Sequence, residues 1–167
     1  MGTMGTGEEG NAVRRLVRQV GQVDMAGQEL WRRALLWISQ GRFGHHRAGI
    51  VLETKLTAPW RDIPCWERSG WRTRQAYLDD EDVFSVDYRT CSRCRLGWVE
   101  WPFTFPQYQR CGLASAGLAA LRDENSGLSW HTLGGHERPS RPFWDAVGTD
   151  VLGQYRQREL CPHVSAG

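Results

Sequence analysis

Residues 106–114 place Gln109, Arg110, Cys111, Gly112, Leu113 and Ala114 directly ahead of an alanine-rich run that reaches about Arg122. An apolar, aromatic segment at 97–105 precedes them. Strand, tight small-residue loop and helix, in that order, bind phosphate. The first N–H groups of a helix have no intrahelical acceptor, and the aligned peptide dipoles put about half a positive charge at that end. Gly112 lets the backbone come close to a ligand oxygen, Ala114 adds little bulk, and Arg110 supplies a guanidinium beside the loop.

A second set of residues carries metal chemistry. Cys91 and Cys94 sit in a turn-like segment with the spacing of a metal-binding knuckle, and Cys161 and His163 lie near the end of the chain. Three thiolates and an imidazole make a Cys₃His tetrahedral zinc site. Reduced free thiols are the other reading, and Cys65 is a reserve ligand. The chain has five cysteines, an odd number that argues against a full disulfide framework. Cys111 reads as a loop residue rather than a nucleophile.

The spacing Gln109-x-x-Gly112-x-Ala114 resembles the Gln/Arg-x-x-Gly-x-Gly/Ala signature of the GNAT superfamily of acetyl-CoA-dependent N-acetyltransferases, with Pro106 and Tyr108 just ahead of it. A short strand-like segment at 128–133 follows. Then Ser140, Phe143, Trp144 and Gly148 are similar to the family's Ser-x-x-Phe-Tyr/Trp-x-x-x-Gly helix. Both segments in the right order are far more specific than either alone, and the resemblance spans residues 83–160.

The resemblance implies an α/β domain of GNAT type, with a mixed, mostly antiparallel sheet and helices on both faces. It implies acetyl-CoA as cofactor and direct transfer of an acetyl or related acyl group to an amine, on a small molecule or a protein. A homodimer is compatible with it. The loop from Gln109 to Ala114, with Cys111 and Leu113 inside it, would hold the pyrophosphate. The backbone of Phe103, Thr104 and Phe105, on a splayed strand end, would hold the pantetheine arm. Phe143 would complete the cofactor site.

Such a transfer needs the amine to lose a proton, and an alkylammonium has a pKa of about 10.4. Glu100 is the candidate general base, in the strand leading to the cofactor and flanked by Trp98 and Trp101. Desolvation among indoles would raise its pKa towards the working range; the other reading points Glu100 to solvent on an alternating strand. Many relatives place a tyrosine after the phenylalanine of the late helix, where its hydroxyl protonates the leaving sulfur. Trp144 stands there in this chain and has no such acid, and Glu137 replaces a frequent asparagine. His131 and His136 are the nearby ionisable side chains, each of which is otherwise structural or exposed. A protein that keeps the fold and CoA binding without turnover, with or without structural zinc, is the alternative function.

These residues need elements to hold them. Residues 1–10 are Gly-rich without an apolar period and are expected to be disordered, which leaves one domain over 11–167. Val13, Leu16, Val17 and Val20 share a helical face that Gly21 ends. Asp24 is placed to cap a second helix bearing Leu30, Trp31, Ala34, Leu35 and Ile38. Two helices ahead of a first strand at 49–56 depart from the family order. Residues 57–80 have no clean period, and Trp60, Trp66 and Trp71 suit either a core or a groove wall. Residues 83–88 alternate and pair with 95–104 through a turn at 90–94. A helix at 141–147 and a strand pair within 150–163 complete the pattern. In the family's sheet the last strand is antiparallel to its neighbours, which would return Cys161 and His163 to the edge carrying the 91–94 turn.

At 167 residues the chain supports one domain with a full core. The longest wholly apolar stretch, at 34–38, is too short to span a bilayer, and no secretory signal is evident, so a soluble cytoplasmic protein without membrane partners is expected. The formal charge of +2 favours no nucleic-acid partner, and a zinc-knuckle nucleic-acid module would need a basic surplus and a second Cys-x-x-Cys that the chain lacks. All but one of the 21 basic residues are arginine, the mark of coding bias. The acidic run 79–82 reads as solvated, or as a lure for a cationic substrate.

Overall fold

The computed structural model of the chain describes residues 6–25 and 58–165. Helix α1 (Thr6–Arg18) starts inside the Gly-rich stretch expected to be disordered, with Glu8 and Glu9 in its first turn and Arg15 and Arg18 in its last, both matched to the helix dipole. Its predicted stripe holds: Val13 and Leu16 are buried, and Val17 and Val20 pack against the same core. Asp24 does not cap a helix. It lies in a three-residue strand, β1 (Val23–Met25). The predicted helix over 30–38 and strand over 49–56 lie outside the described residues.

Among the described residues six more strands follow: β2 (Trp60–Pro64), β3 (Arg72–Leu78), β4 (Glu81–Cys91), β5 (Leu96–Thr104), β6 (Ser129–Thr132) and β7 (Arg156–Gln157). They form one seven-stranded sheet in sequence order. The long central ladders, β2 through β5, are antiparallel, whereas the short pairings β1–β2, β5–β6 and β6–β7 are parallel. The molecule is thus α/β with a mixed sheet. Asp79 and Asp80 both take positive φ between β3 and β4, the requirement of a two-residue hairpin turn, which is why the acidic run falls there.

The alternation of side chains along β4 and β5 builds two cores. Phe84, Val86, Tyr88 and Val99 face the first, joined by α1, by α2 (Leu113–Glu124) through Leu113, Leu118 and Leu121, and by Trp144 of α3 (Arg141–Gly148). A Cβ on Gly117 would come within 2.6 Å of Phe84, so glycine sets how closely α2 lies on the sheet. Cys91, Leu96 and Trp98, of opposite parity, face the second core, with Trp71, Cys161 and Val164. The three tryptophans of 57–80 part company. Trp60 is buried and donates to the Leu16 carbonyl at 2.9 Å, Trp71 joins the second core, and Trp66 is exposed.

Only the two-residue β7 forms where a strand pair was expected, and it runs parallel to β6, not antiparallel. After it the chain doubles back. The Arg158 carbonyl accepts from the Trp98 indole at 3.0 Å, and the tail ends in a single turn, α4 (Pro162–Ser165), over the second core.

A polar network runs from the interior out to the end of α2. Arg74 and Asp62 are both fully buried, with Arg74 Nε 2.9 Å from Asp62 Oδ2. Arg74 also forks onto Glu124, at the end of α2, at 2.9 and 2.6 Å. Tyr88 donates to Asp62 at 2.7 Å, and Arg72 donates to its other oxygen. Burial opposes the Arg74 charge, but the two carboxylates outweigh it and hold the guanidinium protonated. Burial, reinforced by Asp62, pushes the Tyr88 phenol well above its ordinary value.

Candidate functional sites at the two ends of strand β5

Strands β5 and β6 pair only over Leu96–Ser129, Gly97–Trp130 and Trp98–His131, and then diverge. The cause lies in β5. Asp87 opposes Glu100 and Ser85 opposes Phe103, so Trp101 and Pro102 together face the single residue Val86 across a β-bulge. Trp101 takes φ 49°, and Pro102 has no N–H to give a ladder. The bend opens a cleft of about 730 Å³ between the parted strands.

The far wall of the cleft is the predicted loop. Pro106–Tyr108 form one 3₁₀ turn, Arg110 takes φ 60°, and Gly112 takes φ 87° as the residue before α2. Among the described residues no side chain caps α2, and its start, Gly112 to Ser115, lines the cleft. A Cβ on Gly112 would meet nothing within 4 Å; the position demands glycine for its backbone angle and leaves open space in front. Gln109 ties the loop to the strand end, donating to the Thr104 carbonyl at 3.1 Å.

Of the predicted residues, Glu100, Thr104, Gln109, Arg110, Gly112, Leu113, Ala114 and Phe143 line this one cleft. Phe103 and Phe105 do not; their rings meet edge to face at 5.3 Å on the surface. Cys111 is exposed, with its sulfur 3.5 Å from the Gln109 carbonyl. Glu100 spans the fork: its Oε1 accepts from the Leu133 N–H at 2.6 Å. Trp98 is turned into the second core, and Trp101 is 61% exposed beneath the Arg68 guanidinium, 4.3 Å from the ring centroid. A backbone amide, rather than two indoles, is therefore the partner seen at the carboxylate.

The two histidines separate. His131 is buried, with Nε2 2.9 Å from Ser129 Oγ and Nδ1 3.1 Å from the Arg156 carbonyl, and burial lowers its pKa. His136 lines the cleft and lies flat on Trp144, ring centroids 4.7 Å apart and planes 10° from parallel. Ser140, the first residue of the late-helix motif, is on the wall too, as is Thr132, which belonged to no motif and was not singled out from sequence.

At the other end of β5 the cysteines converge. Cys91 ends β4, Cys94 lies in the turn before β5, and Cys161 and His163 arrive with the tail. The four ligand atoms all lie within 4.8 Å of one another, and Cys94 Sγ is 3.1 Å from His163 Nδ1. The Cys91 thiol is drawn below its ordinary value chiefly by the Cys94 backbone N–H. The neighbouring thiols and the Arg93 N–H add to this, against the opposing effect of burial. Two backbone N–H groups aimed at one sulfur are what a knuckle offers a thiolate. The cluster can hold a metal ion. Cys65, the reserve ligand, is outside it, donating instead to Asp87 at 3.6 Å.

Searches against family models, curated proteins and solved structures returned no match to the chain. Among the described residues no helix is long and apolar enough to cross a membrane.

Proposed function

We propose that the chain is a GNAT-type acyltransferase that moves an acetyl or related acyl group from CoA to an amine. The observation that carries this reading is the cleft at the β5–β6 fork, which runs from a carboxylate, Glu100, to an uncapped helix start behind Gly112. On this reading the pyrophosphate lies on the amides of 109–114 beside Arg110, where N–H groups and helix dipole favour an anion. On β5 the backbone of Thr104 lines the cleft and would meet the amide-bearing pantetheine arm, the Gln109 amide giving up the Thr104 carbonyl. The Phe105 N–H and C=O stay with Val83 and Tyr108, and the fork brings the thioester to Glu100. Glu100 takes the first proton of the bound ammonium and, as an anion, also favours a cationic acceptor.

Calorimetry with acetyl-CoA tests the reading directly. Wild-type protein should bind, and a folded Gly112→Trp variant should not, because the indole fills the space in front of the loop. Unchanged affinity in that variant would remove the assignment. Thiol release from acetyl-CoA over a panel of primary amines separates turnover from the alternative, a CoA-binding protein without catalysis.

We also propose that Cys91, Cys94, Cys161 and His163 hold a structural Zn²⁺. Ligand bonds of about 2.3 Å to sulfur and about 2.0 Å to nitrogen put tetrahedral ligand atoms about 3.5–3.8 Å apart. The present spread of up to 4.8 Å needs only small rotamer changes to reach that. Four protein ligands leave no open position, so the ion would clamp the tail to the β4–β5 turn and take no part in transfer. Elemental analysis of protein purified without chelator should give one zinc per chain. No zinc, together with freely titrating thiols, would mean ordinary reduced cysteines.

A further inference from the structure

We propose that His136 is the second proton-transfer group of the cleft, carrying a proton from the attacked amine nitrogen to the departing CoA sulfur; this rests on the acyltransferase reading. The proton count requires such a group. An alkylammonium brings three protons on nitrogen, and the amide product of a primary amine keeps one. Glu100 takes the first and returns it to solvent. When the freed amine adds to the thioester carbonyl, the new C–N bond leaves a cationic nitrogen with one proton too many. The C–S bond then breaks with its electron pair on sulfur, which needs a proton. One imidazole beside both atoms takes that proton from nitrogen and delivers it to sulfur, so nothing else is consumed.

The geometry suits His136 to this task. It is on the cleft wall with Glu100, and Trp144, the residue that replaces a hydroxyl-bearing tyrosine in the resemblance, is the plate on which its ring lies flat. Its Nε2 is 3.3 Å from Thr132 Oγ1. That hydroxyl already directs its own proton to a backbone carbonyl, with Gly134 O at 2.9 Å and Tyr155 O at 3.1 Å. Nε2 therefore carries the ring hydrogen, and Nδ1 keeps the lone pair that accepts a proton.

Burial, against most of the charge around it, favours the neutral ring at rest. Burial lowers its pKa first. The Tyr155 carbonyl, Asp145 of α3 and Glu100 of β5 pull the other way, and Arg141 of α3 adds to the lowering. A neutral imidazole can accept, and its conjugate acid is stronger than an alkyl thiol of pKa about 8.5, so the onward transfer to thiolate is downhill.

The test needs no acceptor. Histidine ring resonances of the wild-type protein are titrated by NMR, with the His136 signal assigned by its loss in His136→Gln, and CoA affinity is measured alongside by calorimetry. His136 should titrate below about 6.5 in the free protein. With CoASH bound it should show two coupled steps, because its charge and that of the thiol interact, and with S-methyl-CoA bound only one. CoA binding that leaves the His136 titration alike for the thiol and its S-methyl ether overturns the assignment and spares the acyltransferase reading. Absence of CoA binding to the wild type removes both.

Discussion

Gly112 and Glu100 are the residues on which the cleft's chemistry turns, and each makes a separable prediction. Gly112 sits at φ 87°, so even alanine there is strained by about 1 kcal/mol, yet a methyl group meets open space. Gly112→Ala should cost that much in chemical denaturation while retaining CoA binding, in contrast to the tryptophan variant. Glu100→Gln keeps an acceptor for the Leu133 N–H and removes the base. Its kcat should fall by about 100-fold with CoA affinity unchanged, and normal turnover at neutral pH would reduce Glu100 to a clasp between two strands.

The sheet and α2 are joined by buried charge as well as by apolar packing. Arg74→Met leaves Asp62 buried without that guanidinium and should cost about 3 kcal/mol, the low end for a broken buried pair because Arg72 and Tyr88 still reach Asp62. For a chain of this length that is a fall in Tm of about 6–12 °C. Asp82, at the start of β4, tests the same point by pH. Burial, only partly offset by the Gln75 amide and the Phe84 N–H, pushes its pKa up to about 6, and its Oδ1 is buried without a partner among the described residues. The folded state then binds more protons than the unfolded one between about pH 4 and 6, and stability falls as pH rises through that window. Asp82→Asn should therefore gain Tm over wild type with rising pH and hold a constant advantage above it. A difference that does not change with pH would place the Asp82 pKa at its ordinary value.

Across the whole molecule the two sites share β5: the cleft opens at its C-terminal half, and the Cys₃His cluster gathers beside its first residue. The tail that brings Cys161 and His163 also supplies β7 and the acceptor for Trp98. Chelation, or Cys94→Ser, should lower Tm and expose the chain beyond Arg158 to proteolysis, which mass spectrometry of the fragments would locate. Native mass spectrometry with and without acetyl-CoA would read zinc, cofactor and oligomeric state together. A chelator-treated protein with unchanged Tm and an uncut tail would show that the cluster clamps nothing.

Much of this was open to reading in one dimension, because it depends on neighbours in the chain. The stripe of α1, the 83–104 hairpin, the loop before α2 and the late helix all follow from local periodicity and from glycine and proline at fixed places. The residue types of the Cys₃His set were legible too, but not the path of the chain that brings them together. An antiparallel last strand was expected to return the tail; in the structure β7 is parallel, and the chain comes back by folding over Trp98. Only the tertiary structure decided that His136 rather than His131 reaches the cleft, and that a backbone N–H is the partner seen at Glu100. It alone showed that buried Arg74, Asp62 and Tyr88 meet Glu124 at the surface end of α2, up to 62 positions apart in sequence, in one network. No spacing encodes such meetings. They follow from which faces of distant elements pack together, and burial then sets the cost of every charge they enclose.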